Sequence, residues 1–286
     1  MPLTEGHVTT PDGVRLHYQK LGDGPAAVVI PNAFHMFDGF QPLASNRNVI
    51  FFDLRNRGLS ESVTDPSKLA RGIHHDVEDI EAIRRHFGIE RINLVGHSYV
   101  GLTVLLYALK YPERVGRAVT IGAVQPFART QYPIHLTGAD ATLAEFPAKM
   151  AQLQKDAATR DPNETARMFW ELVRVLMVAD PANATKIREK PYENPNELNF
   201  MKHWTENVSP SIQSLTLTAQ DWAQVQTPVL VIHGTKDRQA PYGGAREWAA
   251  ILPNAQLLTV PNAAHVPWIE NPDLIFGAIS SFFDAE

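Results

Sequence analysis

The sequence has 286 residues, of which 44% are hydrophobic and 20% are charged, and its net charge is −5. Such a chain can bury the core of one large α/β domain, or of a domain with an insertion. The small negative charge, without a basic block, argues against a nucleic acid or an anionic membrane surface as a partner, and the absence of cysteine excludes disulfides, thiolate metal sites and a cysteine nucleophile.

Residues 1–13 are polar, and no apolar run approaches the ~18 residues that a membrane-spanning helix needs. We therefore expect neither a secretory signal sequence nor a membrane anchor. A cytoplasmic protein is the default interpretation.

The first half of the chain alternates buried strands with helices. Apolar or alternating runs between turn residues predict strands at 14–18, 26–30, 48–53, 92–97 and 115–121. Apolar residues at helical spacing predict a helix from Leu69 to Phe87, which Gly88 ends, and another that ends before Pro112. This alternation predicts a mostly parallel sheet with helices on both faces.

The pattern changes between residues 125 and 214, where no strand alternation is found. Runs at 146–155, 164–178 and 196–204 predict helices that proline-containing breaks separate. Strand patterns return at 228–233 and 256–260, with helices near 243–252 and 272–283. We expect a core of residues 1–124 and 215–286, with residues 125–214 as a helical cap insertion over the sheet edge.

A serine stands between the strand at 92–97 and the helical pattern that follows it. In Gly96-His97-Ser98, a tight turn would lift the Ser98 hydroxyl clear of the backbone and direct the first helical N–H groups at whatever it attacks. The simpler interpretation is that Ser98 only caps the helix. A nucleophilic serine also needs a base, an acid that orients the base, and donors for an oxyanion.

Two later loops carry side chains that could be those partners. Asp237 comes shortly after the strand that ends at His233, and His265 follows the last predicted strand. In an open parallel sheet, functional groups lie on loops after the carboxyl ends of the strands, so these loops should meet Ser98. Asp237 could instead be a turn residue, and Glu270 and Asp273 are weaker candidates for the acid.

Along nearly its whole length, the chain resembles an α/β-hydrolase-fold serine hydrolase, and within that family it is most similar to the bacterial proline-iminopeptidase-like and esterase branch. The matching motifs are Asp53-x-Arg55-x-x-Gly58-x-Ser60, Val95-Gly96-His97-Ser98, His233-Gly234-x-x-Asp237 and Asn262-x-x-His265-x-Pro267-Trp268. The order Ser98, Asp237, His265 is also that of the family.

The resemblance implies an α/β-hydrolase fold with an eight-stranded, mostly parallel sheet, no cofactor and no metal. It implies that Ser98 is the nucleophile, that His265 is the general base and acid, and that Asp237 orients His265. The backbone N–H of Tyr99 is implied as one donor of the oxyanion hole.

The turn departs from the family pattern at Val100. Glycine is usual two residues after the nucleophile, but here Val100 stands there and Gly101 follows. A β-branched side chain must find room between helix and sheet. We expect a compensating small residue, with Ala118 and Gly122 as candidates, or a slightly displaced helix.

The loop after the strand at 26–30 also departs from the family, because Pro31-Asn32-Ala33 replaces the usual His-Gly pair and its successor. A gap-free match places the Ala33 N–H as the second oxyanion donor. Asn32 or Phe34 would serve if the loop kinks differently.

Further side chains are expected near the site. Phe34 and His35 are expected to line its mouth, and Trp170, Glu171 and Trp268 are candidate substrate contacts. If the iminopeptidase resemblance holds, Glu171 would receive a substrate ammonium group.

Three residues of the motifs have a structural interpretation instead. Asp53 and Arg55 are interpreted as an ion pair or turn lock beneath the site. His97 is expected to pack behind the nucleophile.

The leading hypothesis is a cofactor-independent serine hydrolase that acts on a small molecule. A carboxylic ester with a small to medium acyl or alcohol part is favoured, because ester cleavage needs less protonation of the leaving group than amide cleavage does. Removal of an N-terminal proline is the alternative, and lactone opening and C–C bond hydrolysis stay open. From another class, the fold could serve as a non-catalytic or slow-turnover receptor for a small ligand.

Overall fold

A computed structural model describes residues 3–188 and 190–285. Within them the chain forms an eight-stranded sheet in the order β1-β2-β4-β3-β5-β6-β7-β8. The strands are β1 Thr4–Thr9, β2 Arg15–Leu21, β3 Ala27–Pro31, β4 Asn48–Phe52, β5 Ile92–His97, β6 Val115–Ile121, β7 Val229–Gly234 and β8 Ala255–Val260. β1 and β2 are antiparallel to their neighbours and the other pairs are parallel, which confirms the predicted fold class.

The α-helices lie on both sides of the sheet and in the segment between β6 and β7. They are α1 Ala33–Phe40, α2 Ile73–His86, α3 Tyr99–Lys110, α4 Ala141–Ala157, α5 Pro162–Leu176, α6 Glu197–His203, α7 Ser209–Gln213, α8 Ala219–Trp222, α9 Tyr242–Ile251, α10 Pro267–Glu270 and α11 Pro272–Asp284. A π-helical turn, Trp204–Val208, joins α6 to α7, and 3₁₀ turns cover Gln41–Ser45, Pro66–Lys68, Pro112–Arg114, Ile134–Leu136, Pro181–Lys186 and Pro191–Glu193.

The core has two layers because neighbouring strand residues face opposite sides of the sheet. On β3, Val29 belongs to the apolar cluster that contains residues of α2, α3 and α9, whereas Val28 and Ile30 belong to the cluster with α1 and α11. All residues of β3 and β7 are buried, so these strands read as continuous apolar runs. The sequence pattern does not predict β1, because it is a polar edge strand with mostly exposed residues.

Residues 125–214, called the helical insertion below, contain helices and no strand in their described part. The helices predicted there form, and α4 begins earlier than expected because the Asp140 side chain caps the N–H groups of Thr142 and Leu143. The division into core and cap stays a prediction, and its residues 1, 2, 189 and 286 lie outside the described residues. Among the described helices, none combines the length and the apolarity that spanning a membrane requires.

Candidate active site

Ser98 lies on a strained turn between β5 and α3. Its backbone has φ 58° and ψ −131°, a combination that costs a residue with a side chain about 1–3 kcal/mol. The Ser98 N–H donates to the Ile121 carbonyl of β6 at 2.9 Å, which holds the turn against the next strand. A Cβ at Gly96 would lie 2.5 Å from the Val100 carbonyl oxygen, so the turn needs glycine there. This geometry is that of a nucleophile elbow.

The closest packing beneath the elbow occurs one residue after Val100. A Cβ at Gly101 would lie 2.7 Å from the Cβ of Ala123. Val100 itself is 1% exposed and belongs to the same apolar cluster as Ala118. The glycine–alanine contact therefore sets how closely α3 approaches the segment after β6.

Gly122 has a different role from the one expected. A Cβ there would lie 3.1 Å from His265 Nδ1 and 3.2 Å from Asp237 Oδ2, and φ of Gly122 is +53°. A side chain at this position would press on both of those groups. Gly122 thus leaves room for the acid and the base rather than for Val100.

His265 and Asp237 form a buried acid–base pair, with Nδ1 of His265 2.8 Å from Oδ2 of Asp237. The other oxygen, Oδ1, accepts the N–H groups of Gln239 and Ala240, each at 2.9 Å. His233 Nε2 lies 3.2 Å from Oδ2. Burial alone would raise the pKa of Asp237, but His265 and the hydrogen bonds from His233 and His265 hold that pKa well below its usual range. Asp237 is therefore ionised, and its Oδ2 can accept a hydrogen bond from a proton on His265 Nδ1.

The rival acids occupy other places. Asp273 is exposed at the start of α11. Glu270 accepts the N–H of Ala264 at 2.7 Å through one oxygen and the N–H of Ala179 at 2.9 Å through the other. Glu270 thus connects the His265 loop to the helical insertion.

His97, the residue before Ser98, supports the backbone of His265. Its Nε2 lies 2.9 Å from the His265 carbonyl oxygen, and the two rings are 4.5 Å apart. Burial, reinforced by the nearby His265, lowers the pKa of His97 well below its usual value. His97 is therefore neutral and donates its Nε2 proton to that carbonyl. The ring packs edge-on against Trp268 at 4.8 Å.

The loop between β3 and α1 carries the three candidates for a second oxyanion donor. The Asn32 N–H donates to the Phe52 carbonyl at 2.7 Å, and the Phe34 N–H donates to Asp53 Oδ1 at 2.8 Å. Neither is free for a substrate. The Ala33 N–H, at the first position of α1, has no such bond to any described residue. Asn32 has φ 86° and ψ 53°, a left-handed conformation that asparagine tolerates where the family usually has glycine.

Asp53 locks this loop rather than pairing with Arg55. Besides the Phe34 N–H it accepts the Leu59 N–H at 3.1 Å, and its backbone carbonyl accepts the Ser60 hydroxyl at 2.6 Å. Gly58 is required because a Cβ there would lie 1.9 Å from Asp53 Oδ2. The motif from Asp53 to Ser60 therefore positions the Ala33 N–H indirectly.

Arg55 takes part in a separate buried ion pair. It donates from Nε to Asp79 of α2 at 3.0 Å and from Nη1 to Asp12 at 2.9 Å. An ion pair was expected for Arg55, but its partners are these two residues and not Asp53.

A cavity of about 110 Å³ opens over Ser98 and His265. Of the expected substrate contacts, three residues line it: His35, Trp170 and Trp268. Burial and the charge of Arg57 lower the pKa of His35 to about 3, so the ring is neutral. Trp170 donates from Nε1 to Glu197 at 2.6 Å, which fixes its indole.

Two expected contacts are not brought into this cavity. Phe34 lines a smaller neighbouring cavity instead. Glu171 is exposed and does not line the main cavity, because adjacent positions on α5 face directions about 100° apart. The structure thus gives no contact between Glu171 and the site.

Sequence reasoning missed two arginines of the cavity wall, Arg57 and Arg174. Arg57 stands in a polar loop and Arg174 in an amphipathic helix, where an arginine usually faces solvent. The position of Arg57 inside the Asp53 motif was the only signal.

The arrangement can carry out acyl transfer. Ser98 and His265 line one cavity, Asp237 orients His265, and the Tyr99 and Ala33 N–H groups stand at the starts of α3 and α1. No hydrogen bond joins the Ser98 hydroxyl to another described residue, and such bonds often tighten only in the substrate complex. The described residues include no group of three or more His, Asp or Glu side chains placed to hold a metal ion.

Known proteins resemble this chain over most of its length. The alpha/beta hydrolase fold family matches residues 30–272. The bifunctional esterase/perhydrolase DCH of Acinetobacter calcoaceticus is 27% identical, covering 91% of this chain and 92% of its own. The 2-hydroxymuconate semialdehyde hydrolase of Pseudomonas putida is 25% identical, covering 91% and 84%. The solved structure of 2-hydroxy-6-oxo-6-phenylhexa-2,4-dienoate hydrolase from Rhodococcus sp. strain RHA1 has a similar fold, with a TM-score of 0.76, 24% identity and coverage of 99% and 100%.

Proposed function

Because the chain belongs to the alpha/beta hydrolase fold family, we propose that it is a serine hydrolase that cleaves a small to medium carboxylic ester through an acyl-enzyme. The observation that carries the proposal is the placement of Ser98 on a strained elbow beside the His265–Asp237 pair, with Ser98 and His265 lining one cavity. The similarity to an esterase/perhydrolase supports the ester as the bond that is cleaved.

The reaction proceeds in two steps. Ser98 attacks the ester carbonyl while His265 Nε2 takes the hydroxyl proton, and the Tyr99 and Ala33 N–H groups hold the oxyanion. His265 then protonates the departing alcohol. In the second step His265 takes a proton from water, which attacks the acyl-enzyme, and the returning proton frees Ser98. Asp237 stabilises the imidazolium form of His265 in both steps.

Hydrolysis of an unsaturated oxo acid is the second candidate. It is favoured by the similarity to a hydrolase named for 2-hydroxymuconate semialdehyde. Aminopeptidase activity has less support, because recognition of a substrate ammonium group needs a carboxylate, and Glu171 is exposed outside the cavity. The helical insertion acts as the cap in either reaction, since Trp170, Arg174 and Met177 line the cavity.

The test is fluorophosphonate labelling together with hydrolysis of p-nitrophenyl butyrate. Wild-type protein should label at Ser98 and hydrolyse the ester, whereas Ser98→Ala should do neither. Ser281→Ala, an exposed serine on α11, is the matched control and should behave like wild type. Equal labelling of Ser98→Ala would remove Ser98 from the mechanism, and a wild type that does not label would favour the ligand-receptor alternative. Proline p-nitroanilide should be a poor substrate.

A further inference from the structure

We propose that Arg57 forms a subsite for a carboxylate on the acyl part of the substrate, on the oxyanion side of Ser98. The inference rests on the proposed serine hydrolase function and narrows its substrates to esters or oxo acids that carry an anionic group.

Within the described part of the chain, Arg57 is a buried cation without an ion-pair partner. The residue is 9% exposed, and no described carboxylate lies within 4 Å of its guanidinium. Its one side-chain hydrogen bond to the described residues runs from Nη1 to Asn32 Oδ1 at 2.8 Å. Nε is buried and has no partner there. Burying a charge is costly unless that charge is paired, so a ligand anion would complete this group.

Aromatic rings hold the guanidinium in place. It lies 3.7 Å from the centroid of the Phe200 ring and 5.3 Å from that of Tyr99. Stacking of this kind leaves the edge of the guanidinium plane free to donate, and that edge matches the two oxygens of a carboxylate. Arg57 is thus pre-oriented rather than mobile.

The cavity that Arg57 lines offers the guanidinium no counter-charge among its described lining residues, which include no aspartate or glutamate. Arg57 acts electrostatically on two buried acidic groups, Glu197 and Asp76. Burial raises the pKa of Glu197, and burial together with Asp79 raises the pKa of Asp76 to about 8. Asp76 is therefore largely protonated at neutral pH, and neither carboxylate forms an ion pair with the Arg57 guanidinium within 4 Å.

The position of Arg57 indicates which part of the substrate it meets. Its hydrogen-bond partner Asn32 precedes Ala33, and the Tyr99 ring beside it belongs to the residue after Ser98. The guanidinium is thus held by Tyr99, which carries one proposed oxyanion donor, and by Asn32, which directly precedes the other, Ala33. A carboxylate on Arg57 would belong to the acyl part, whose carbonyl oxygen lies in the oxyanion hole.

The kinetic test compares an anionic with a neutral ester of similar acyl length. Wild type should prefer mono-p-nitrophenyl glutarate to p-nitrophenyl hexanoate. Arg57→Gln should lower the ratio of the two kcat/KM values by about 10- to 100-fold, the range for hydrogen bonds to a charged group, mainly through KM. Arg57→Lys should recover part of this preference. Arg167→Gln, an exposed arginine on α5, should leave the ratio unchanged.

A binding measurement separates this inference from the proposed function. By calorimetry, glutarate should bind Ser98→Ala protein, the neutral diamide glutaramide should bind at least tenfold more weakly, and Arg57→Gln should abolish the difference. If wild type neither labels nor hydrolyses esters yet glutarate still binds through Arg57, the proposed function fails and the subsite stands. If labelling is normal, but the two esters have equal kcat/KM values and glutarate and glutaramide bind with equal affinity, the subsite is wrong. Should Arg57→Gln fail to fold, Arg57→Lys and the glutarate–glutaramide comparison decide.

Discussion

The carboxylate of Asp237 has a different task for each of its oxygens. Oδ1 is saturated by two backbone N–H groups of its own loop, whereas Oδ2 receives the His265 ring and lies near His233. The loop thus fixes which oxygen faces the base. This arrangement makes the tautomer of His265 depend on a single atom of Asp237.

Asp237→Asn should lower kcat/KM for p-nitrophenyl butyrate by about 10³- to 10⁴-fold without unfolding the protein. The asparagine oxygen will keep the two backbone N–H groups, so its NH₂ group will face His265 Nδ1 and impose the wrong tautomer. Steady-state kinetics and circular dichroism check this outcome. Asp273→Asn, an exposed change, should have no effect, and a loss below tenfold in Asp237→Asn would assign the orienting role to another group.

At the scale of elements, the elbow depends on close approach of α3 to the sheet. Gly96 makes room for the first turn of α3, and the Gly101–Ala123 contact brings the helix onto the segment after β6. The N–H of Tyr99 is presented by this same first turn. Displacement of α3 should therefore lower the stability of the fold and move the Tyr99 N–H, the proposed oxyanion donor.

Gly101→Ala should lower the free energy of unfolding by about 1–3 kcal/mol, because its Cβ would approach that of Ala123 to 2.7 Å. Gly277→Ala is the matched control. Gly277 also lies inside a helix, α11, but a Cβ there meets nothing within 4 Å, so the change should stabilise by about 0.5–1 kcal/mol. Urea denaturation measures both. Equal effects of the two substitutions would contradict the close contact.

At the scale of the whole molecule, a buried carboxyl group on α2 connects the free energy of unfolding to pH. Asp76 is 1% exposed, and its Oδ2 has no hydrogen-bond partner in the described residues. Burial and the neighbouring Asp79 raise the pKa of Asp76 to about 8. The folded protein holds this proton at pH values where the unfolded chain, with a pKa near 3.8, has lost it. The contribution of Asp76 to stability therefore falls as pH rises from about 4 to about 8.

Asp76→Asn should remove this dependence. The free energy of unfolding of the variant, relative to wild type, should increase by about 1–3 kcal/mol between pH 6 and pH 8, because one ionisation can contribute at most about 1.4 kcal/mol per pH unit. Urea denaturation across that range, with exposed Asp273→Asn as the control, gives the measurement. A constant difference between wild type and Asp76→Asn would show that Asp76 does not titrate in this window.

The sequence predicted the parts of the site that local pattern determines. Ser98, Asp237 and His265 each lie at or just beyond the end of an apolar strand, so the topology of the sheet brings their loops to one edge. The second oxyanion donor stayed open among Asn32, Ala33 and Phe34, because the choice depends on the hydrogen bond from the Phe34 N–H to Asp53, a contact between distant segments.

The cavity wall was harder to predict for the same reason. Phe200 of the helical insertion covers Arg57, and nothing in the polar loop around Arg57 indicates that contact. The prediction that Glu171 contacts substrate was wrong, because on α5 Trp170 faces the cavity whereas the next residue, Glu171, faces solvent.

The hydrogen bonds that Glu270 accepts from two segments restrict which parts of the site can move independently. One carboxylate accepts the N–H groups of Ala264 and Ala179, and the Val266 N–H donates to the Met177 carbonyl, so the stretch 177–180 is coupled to the loop of His265. A movement of residues 177–180 would therefore also displace His265 relative to Ser98. A substrate path that leaves His265 in place would therefore open through other parts of the insertion.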